Sequence, residues 1–451
     1  MHNTPPSATT ARALIDAAPL SRFQWQTFFL CFCITLFDGF DTQAIAFTGP
    51  AIASAFHLEP NELTPLIVAG TLGMALGAVT LGSLGDRIGR RTTILWAVLV
   101  FGVFSLLTGF ARSPQEILLA RFFTGLGMGG AVPVVLSLVS ELSPARHRGL
   151  IITGALLGLP TGAIGGGLLA SRLLPQMGWQ GIFIIGGVLP LLFLFVLLVR
   201  LPESPFFLAV KNPAFYQNKI QSLLAQMLPT ISRETLQSCA QISPEETARA
   251  SFKALLQPKF LRNTLAVWLT YFCNWAAWFM LLLWLPTVLK MAGLPAAQAA
   301  LGTVIINSPA VLFCLVMAYY LPKKPVRVLL TATLSLGIVV TWMLSMAGSH
   351  WAWVFFLVGA AGIGVGLPQI ALNYVVLEAY PTELRATGAG WAIGMGRTGS
   401  IVGAGLGGWL LKTFGVAGFY SALSVPLLLA IAGVLMIRTE KEAKSALSVK
   451  G

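Results

Sequence analysis

The stretch Gly82-Ser83-Leu84-Gly85-Asp86-Arg87-Ile88-Gly89-Arg90-Arg91 joins two long apolar runs, 63–83 and 92–111, with almost no polar chain to spare. Its glycines permit a tight turn and the close approach of two helices. Asp86 can pair with a neighbouring arginine or with the positive end of a helix. The arginines suit the headgroup level of a bilayer. Taken alone, a basic loop of this kind can do no more than set topology.

Composition says that the flanking runs cross a membrane. Of 451 residues, 56% are hydrophobic and 10% charged, against about a quarter charged in soluble proteins. This excludes a disordered chain, a nucleic-acid-binding domain and an ordinary soluble enzyme. Twelve apolar runs are long enough to span: 23–54, 63–83, 92–111, 115–140, 149–173, 180–201, 263–289, 297–321, 327–347, 351–378, 385–411 and 415–438. The expected organisation is a cytoplasmic tail (1–22), a six-helix bundle (23–201), a cytoplasmic linker (202–262), a second six-helix bundle (263–438) and a cytoplasmic tail (439–451). With the N-terminus inside, the inner segments collect 23 of the 29 lysines and arginines. The outer loops then hold Arg112, Arg172, Lys290 and Lys412. The net charge of +13 is therefore mostly topology, not a nucleic-acid site. Five cysteines, four of them in apolar runs and Cys239 in the linker, make no disulfide framework.

The two halves repeat. A shift of 237 residues lays Gly125, Gly127 and Gly129 on Gly362, Gly364 and Gly366. It also lays Gly162, Gly166, Gly178 and Gly181 on Gly399, Gly403, Gly415 and Gly418. Glu141-x-x-Pro144-x-x-x-Arg148 falls on Glu378-x-x-Pro381-x-x-x-Arg385 without a gap. Such duplication predicts two pseudo-symmetric bundles around a midplane site.

Four charges fall well inside the runs: Asp38, Asp41, Arg121 and Arg397. Asp38 and Asp41, three residues apart, share a helix face, and burying them in a bilayer is costly. Two neighbouring carboxylates resist double ionisation, so one can carry a proton; Asp41 is taken ahead of Asp38. No histidine lies mid-helix, which leaves any relay to carboxylates. Arg121 reads equally as counter-ion to these acids or as a substrate contact. Arg397, in the other half, reads as the ligand of an organic carboxylate, which a guanidinium can hold through two parallel hydrogen bonds. Asn274, Trp275, Trp278, Gln369 and Asn373 offer flat rings and amides for an aromatic ligand. Asp86, Arg87 and Arg90, with Glu141, Arg148, Glu378 and Arg385 at the inner helix ends, are candidate gating charges. No metal or cofactor motif is present in the sequence, so neither is expected.

The G-x-L-G-D-R-x-G-R-R loop and the twelve-run layout resemble the major facilitator superfamily, in which this loop helps lock an inner gate. Asp38-Gly-Phe-Asp41-Thr, together with Tyr380-Pro-Thr-Glu-Leu-Arg385 through Gly396-Arg397-Thr-Gly399-Ser, is similar to its aromatic acid:proton symporters. Two features depart from that pattern. Phe206 stands where relatives often carry arginine, and Tyr320-Leu-Pro-Lys323-Lys324-Pro325 keeps neither acid nor glycine of the loop.

The resemblance implies an all-α membrane protein of twelve transmembrane helices, importing an aromatic carboxylate such as a hydroxybenzoate with protons across a bacterial inner membrane. It also implies function for the first-run acids, Glu141, Arg121, Arg385 and Arg397. The expectation is a monomeric symporter, not an enzyme, working by alternating access, with a small aromatic carboxylate, protons and the lipid bilayer as its partners. The alternative is a symporter of the same fold for a non-aromatic organic acid or a neutral metabolite.

Overall fold

The computed structural model describes residues 11–229, 231, 252–320 and 326–437. The loop 321–325, Cys239 and the tail 439–451 lie outside the described residues. The described residues are helical nearly throughout. Helix α1 (Ala11–Ala17) is followed by α2 (Arg22–Phe56), α3 (Pro60–Ile88), α4 (Arg90–Gly109), α5 (Pro114–Leu142), α6 (Ala145–Leu156) and α7 (Gly158–Arg200). Short helices α8 (Pro205–Lys211), α9 (Pro213–Met227) and α10 (Phe252–Leu255) lead into α11 (Pro258–Met291). Then come α12 (Ala296–Ala299), α13 (Leu301–Tyr320), α14 (Val326–Met346), α15 (Trp351–Ala361), a π-helical turn (Gly362–Gly366), α16 (Pro368–Ala379), α17 (Thr382–Ala422) and α18 (Ser424–Met436).

Local chemistry sets the helix starts. Ser21 accepts from the Gln24 amide while the Gln24 side chain accepts from the Ser21 amide, closing a capping box on α2. Proline occupies the first turn of α3 and α5, where its missing N–H costs nothing. Ser113 caps α5 by accepting from the Glu116 amide.

Among the described residues ten helices are long and apolar enough to cross a membrane. That is two fewer than the runs read from the sequence, and the reason is physical. Stretches Ala145–Arg200 and Thr387–Met436 each form one candidate span, although each is long enough to cross twice. Inside them the chain breaks at Gly178 (φ 65°, ψ −172°) and at Gly415 (φ 66°, ψ −166°). A side chain could not adopt those angles without strain. The two breaks stand 237 residues apart, at the spacing of the repeat.

The duplication extends to packing. A Cβ on Gly162 would run into the Leu36 carbonyl, and one on Gly399 into the Phe272 carbonyl. Helix pairs α2/α7 and α11/α17 therefore cross at backbone contact, as small residues allow in membranes. Within the expected tail 1–22, α1 is docked rather than loose: Ala11 and Ile15 are buried. Arg12 donates to the carbonyls of Glu141 and Ser143, and Asp16 accepts from the Ala145 amide.

Candidate functional site in the helix bundle

Helix α2 carries both acids, but the fold gives them different surroundings. Asp41 is saturated. Arg121 on α5 donates to its Oδ2 at 2.6 Å and to its backbone carbonyl at 2.9 Å. Ser105 on α4 donates to Oδ1 at 2.5 Å. Phe183 on α7 lies 5.4 Å from the Arg121 guanidinium, so the cation is closed in on that side as well. All three polar partners are buried, and such a pair is costly to break from one side.

Asp38, one turn earlier, is also buried, yet among the described residues its carboxylate accepts a single hydrogen bond, from the Thr42 hydroxyl to Oδ1 at 3.0 Å. Its Oδ2 has no partner. Arg397 of α17 acts on it electrostatically as a favourable charge, without an ion pair among the described residues. Among the described residues the Arg397 guanidinium makes no hydrogen bond, although its backbone carbonyl accepts from Ser400. A half-buried cation with open donors, beside a buried acid, can take an organic carboxylate.

Aromatic surface lies alongside. Trp275 on α11 stacks with Phe279, ring centroids 5.8 Å apart and planes at 16°. A Cβ on Gly396 would fall among the Trp275 ring atoms, so the absence of a side chain there lets the indole lie against α17 next to Arg397. Trp275 and Trp278 do not act together. Trp278 is buried in the core against Gly366. Asn274 is fully buried and donates to the Val365 carbonyl in the π-turn at 3.2 Å. Asn373 accepts from the Tyr271 hydroxyl at 3.4 Å, and Gln369 has an unpartnered Nε2. A pocket walled by Thr42, Thr71, Met74 and Arg121 measures only about 10 Å³. That is the size for one water, not for a ring.

Where α3 meets α4 and α5 ends, Arg90 is the hub. It pairs with Asp86 at 3.1 Å and with Glu141 at 3.0 Å, while Ser137 donates to the same Glu141 oxygen. Arg87 is exposed. Arg148 is drawn to Asp16, 3.8 Å away. In the second copy Arg385 donates to the Tyr380 carbonyl at 3.1 Å, and Glu378 sits exposed near the end of α16.

Glu203 was not singled out from the sequence. It is buried and accepts from the backbone amides of Arg90, Arg91 and Ser204 at 2.8–3.2 Å, so its carboxylate caps the positive end of α4. The signal was present as an acid between Pro202 and Pro205, but its partner lies 113 residues away. Thr42 stood in the Asp38-Gly-Phe-Asp41-Thr motif without an assigned role, and Ser105, a hydroxyl in an apolar run, gave no signal.

The comparisons agree with this architecture. The family model described as Major Facilitator Superfamily matches residues 31–398 and again 324–451. The chain is 35% identical over 427 residues to the 4-hydroxybenzoate transporter PcaK of Pseudomonas putida, covering 94% of this chain and 95% of that one. It is 33% identical to a gallate transporter of the same organism, covering 93% of each. In three dimensions it resembles the xylose transporter XylE from E. coli with a TM-score of 0.73 at 18% identity, over 93% of this chain and 99% of that one. The chain belongs to the Major Facilitator Superfamily and is a multi-pass membrane transporter. Within the superfamily it groups with the transporters of aromatic acids.

Proposed function

We propose that this chain imports an aromatic carboxylate of the hydroxybenzoate type together with a proton, by alternating access. The observation that carries the reading is the Arg397 guanidinium, free of hydrogen bonds among the described residues and coupled electrostatically to buried Asp38, on a helix whose Gly396 packs against the Trp275 indole. The relatives named for 4-hydroxybenzoate and gallate transport support the substrate class.

The coupling follows from competition for one cation. While Arg397 is free, it offsets the charge of ionised Asp38. A substrate carboxylate that takes the guanidinium leaves Asp38 buried with no counter-charge, and an unpaired buried carboxylate is untenable. Asp38 must then hold a proton for the substrate to stay. One anion and one proton move together, which is electroneutral. That spares the anion the roughly 2.3 kcal/mol per 100 mV by which an inside-negative potential opposes it.

In this reading Asp38, rather than Asp41, is the carrier. Asp41 and Arg121 are a fixed pair that ties α2 to α5, and Arg121 is a counter-ion rather than a substrate ligand. Asp86, Arg90 and Glu141 brace the inner end, and Trp275 holds the ring. Counting the breaks at Gly178 and Gly415 as ends, the ten spans become twelve, six on either side of the linker 202–262. Both termini then face the cytoplasm of a bacterial cell, with the chain monomeric in the inner membrane. The test is uptake of labelled 4-hydroxybenzoate by proteoliposomes under an imposed pH gradient. Accumulation should collapse on adding a protonophore, and accumulation that survives the collapsed gradient contradicts the proposal.

A further inference from the structure

Lys290 is the last charged residue of α11, fifteen positions beyond Trp275 on the same helix. Its ammonium crosses to the other half of the chain, donating to the Pro50 carbonyl on α2 at 2.8 Å and to the Ser54 hydroxyl. Both partners are neutral. Lys412, another outer cation, is instead neutralised by Glu59 at 2.8 Å. Below Lys290 the seam between the halves stays polar. Thr287, one turn back beside Gly49, has a buried hydroxyl with no partner. Deeper still, Gln43 on α2 and Asn307 on α13 exchange side-chain hydrogen bonds at 3.2 and 3.4 Å, both buried.

A seam that never opened would gain by being apolar, since each buried polar group costs free energy unless paired. A polar strip closed by one cation on neutral acceptors and by a pair of amides fits a surface that is wet in another conformation. We infer that Lys290 is an outer docking cation for the substrate carboxylate. When the seam opens, its ammonium exchanges the Pro50 carbonyl and Ser54 hydroxyl for the incoming anion, before the anion passes to Arg397. The inference rests on the proposed import of a carboxylate from the outside. Lys290 was set down from the sequence only as one of four outer basic residues; the cross-half contacts assign it a task.

The test separates the two faces. Initial rates of 4-hydroxybenzoate transport are measured in right-side-out and inside-out vesicles at low and high ionic strength. Lys290→Gln should raise KM from the outer face roughly tenfold and flatten its salt dependence, as loss of an attracting charge requires. KM from the inner face should stay within about twofold of the unaltered protein. Lys290→Arg should retain most of the outer affinity. Ser54→Ala, which frees the ammonium without removing it, should leave the outer KM no higher than in the unaltered protein. An outer KM unmoved by Lys290→Gln, or lowered because only a latch was lost, overturns the inference. So does an equal rise on both faces. If the unaltered protein accumulates no aromatic carboxylate, the parent proposal fails as well. If it accumulates the acid while Lys290→Gln behaves identically, this inference alone fails.

Discussion

The Asp38 carboxylate and the Arg397 guanidinium act on one another across the two halves of the chain without closing into an ion pair. By contrast, Asp41 and Arg121 sit 2.6 Å apart and share further hydrogen bonds. Two acids on one helix face thus hold opposite positions: one is finished, the other is waiting. An ion pair already made has nothing to exchange. A cation with open donors and an acid with a spare oxygen can each accept something new.

Replacing Arg397 should therefore damage substrate affinity first. Truncating one side of a buried charge-assisted contact costs about 2–5 kcal/mol. Arg397→Gln should raise the KM for 4-hydroxybenzoate at least thirtyfold, and Arg397→Lys less, since an ammonium keeps the charge but not the two-pronged geometry. Uptake kinetics in proteoliposomes measure both.

Breaking the other pair should act on stability. Removing one partner of a buried ion pair costs about 3–5 kcal/mol. Arg121→Gln should lower the unfolding temperature in detergent more than Asp41→Asn, because it leaves a buried carboxylate whose counter-charge is gone and whose remaining donor is the Ser105 hydroxyl, whereas the latter leaves a guanidinium that keeps its backbone acceptor and the Phe183 ring. Equal and small losses for both would show that the pair is not what ties α2 to α5.

The Glu203 cap offers a prediction away from the substrate. Its carboxylate holds the Arg90 and Arg91 amides at the start of α4 and the Ser204 amide beside it in the chain. Hydrogen bonds to charged groups contribute about 1.5–3 kcal/mol. Glu203→Ala should destabilise the protein by about that much while leaving substrate KM within twofold, as followed by thermal unfolding and uptake together.

Gly396 is expected to govern ring recognition. A methyl group there would meet the Trp275 ring, and forcing the indole aside costs about 1–3 kcal/mol. Gly396→Ala should weaken competition by benzoate-type acids several-fold. Competition by short aliphatic carboxylates, which need only Arg397, should be unchanged in the same assay.

Much of this was legible in the sequence because charge is scarce in the apolar runs and expensive there. Asp38, Asp41, Arg121 and Arg397 stand out without any structure. Their pairing does not, since Asp41 and Arg121 lie 80 positions apart and either acid could have claimed the arginine. Gly178 and Gly415 were visible as repeat partners, and the apolar runs already part there, between 173 and 180 and between 411 and 415; the left-handed backbone that makes each break was not legible. Trp275 and Trp278 share spacing and chemistry, and only packing separates the half-buried ring beside Gly396 from the core ring against Gly366. The cross-half contact of Gln43 with Asn307 was invisible, because neutral amides in membrane helices carry no signature of their partners.

The account stands most directly on where the proton is carried. Proton and substrate fluxes can be counted together in proteoliposomes containing Asp38→Asn, alongside Asp41→Asn. Asp38→Asn should still exchange labelled for unlabelled 4-hydroxybenzoate but should move no protons with it and accumulate none against a gradient. A variant that keeps proton-driven accumulation, while Asp41→Asn alone abolishes it, would contradict the assignment and return the carrier role to Asp41.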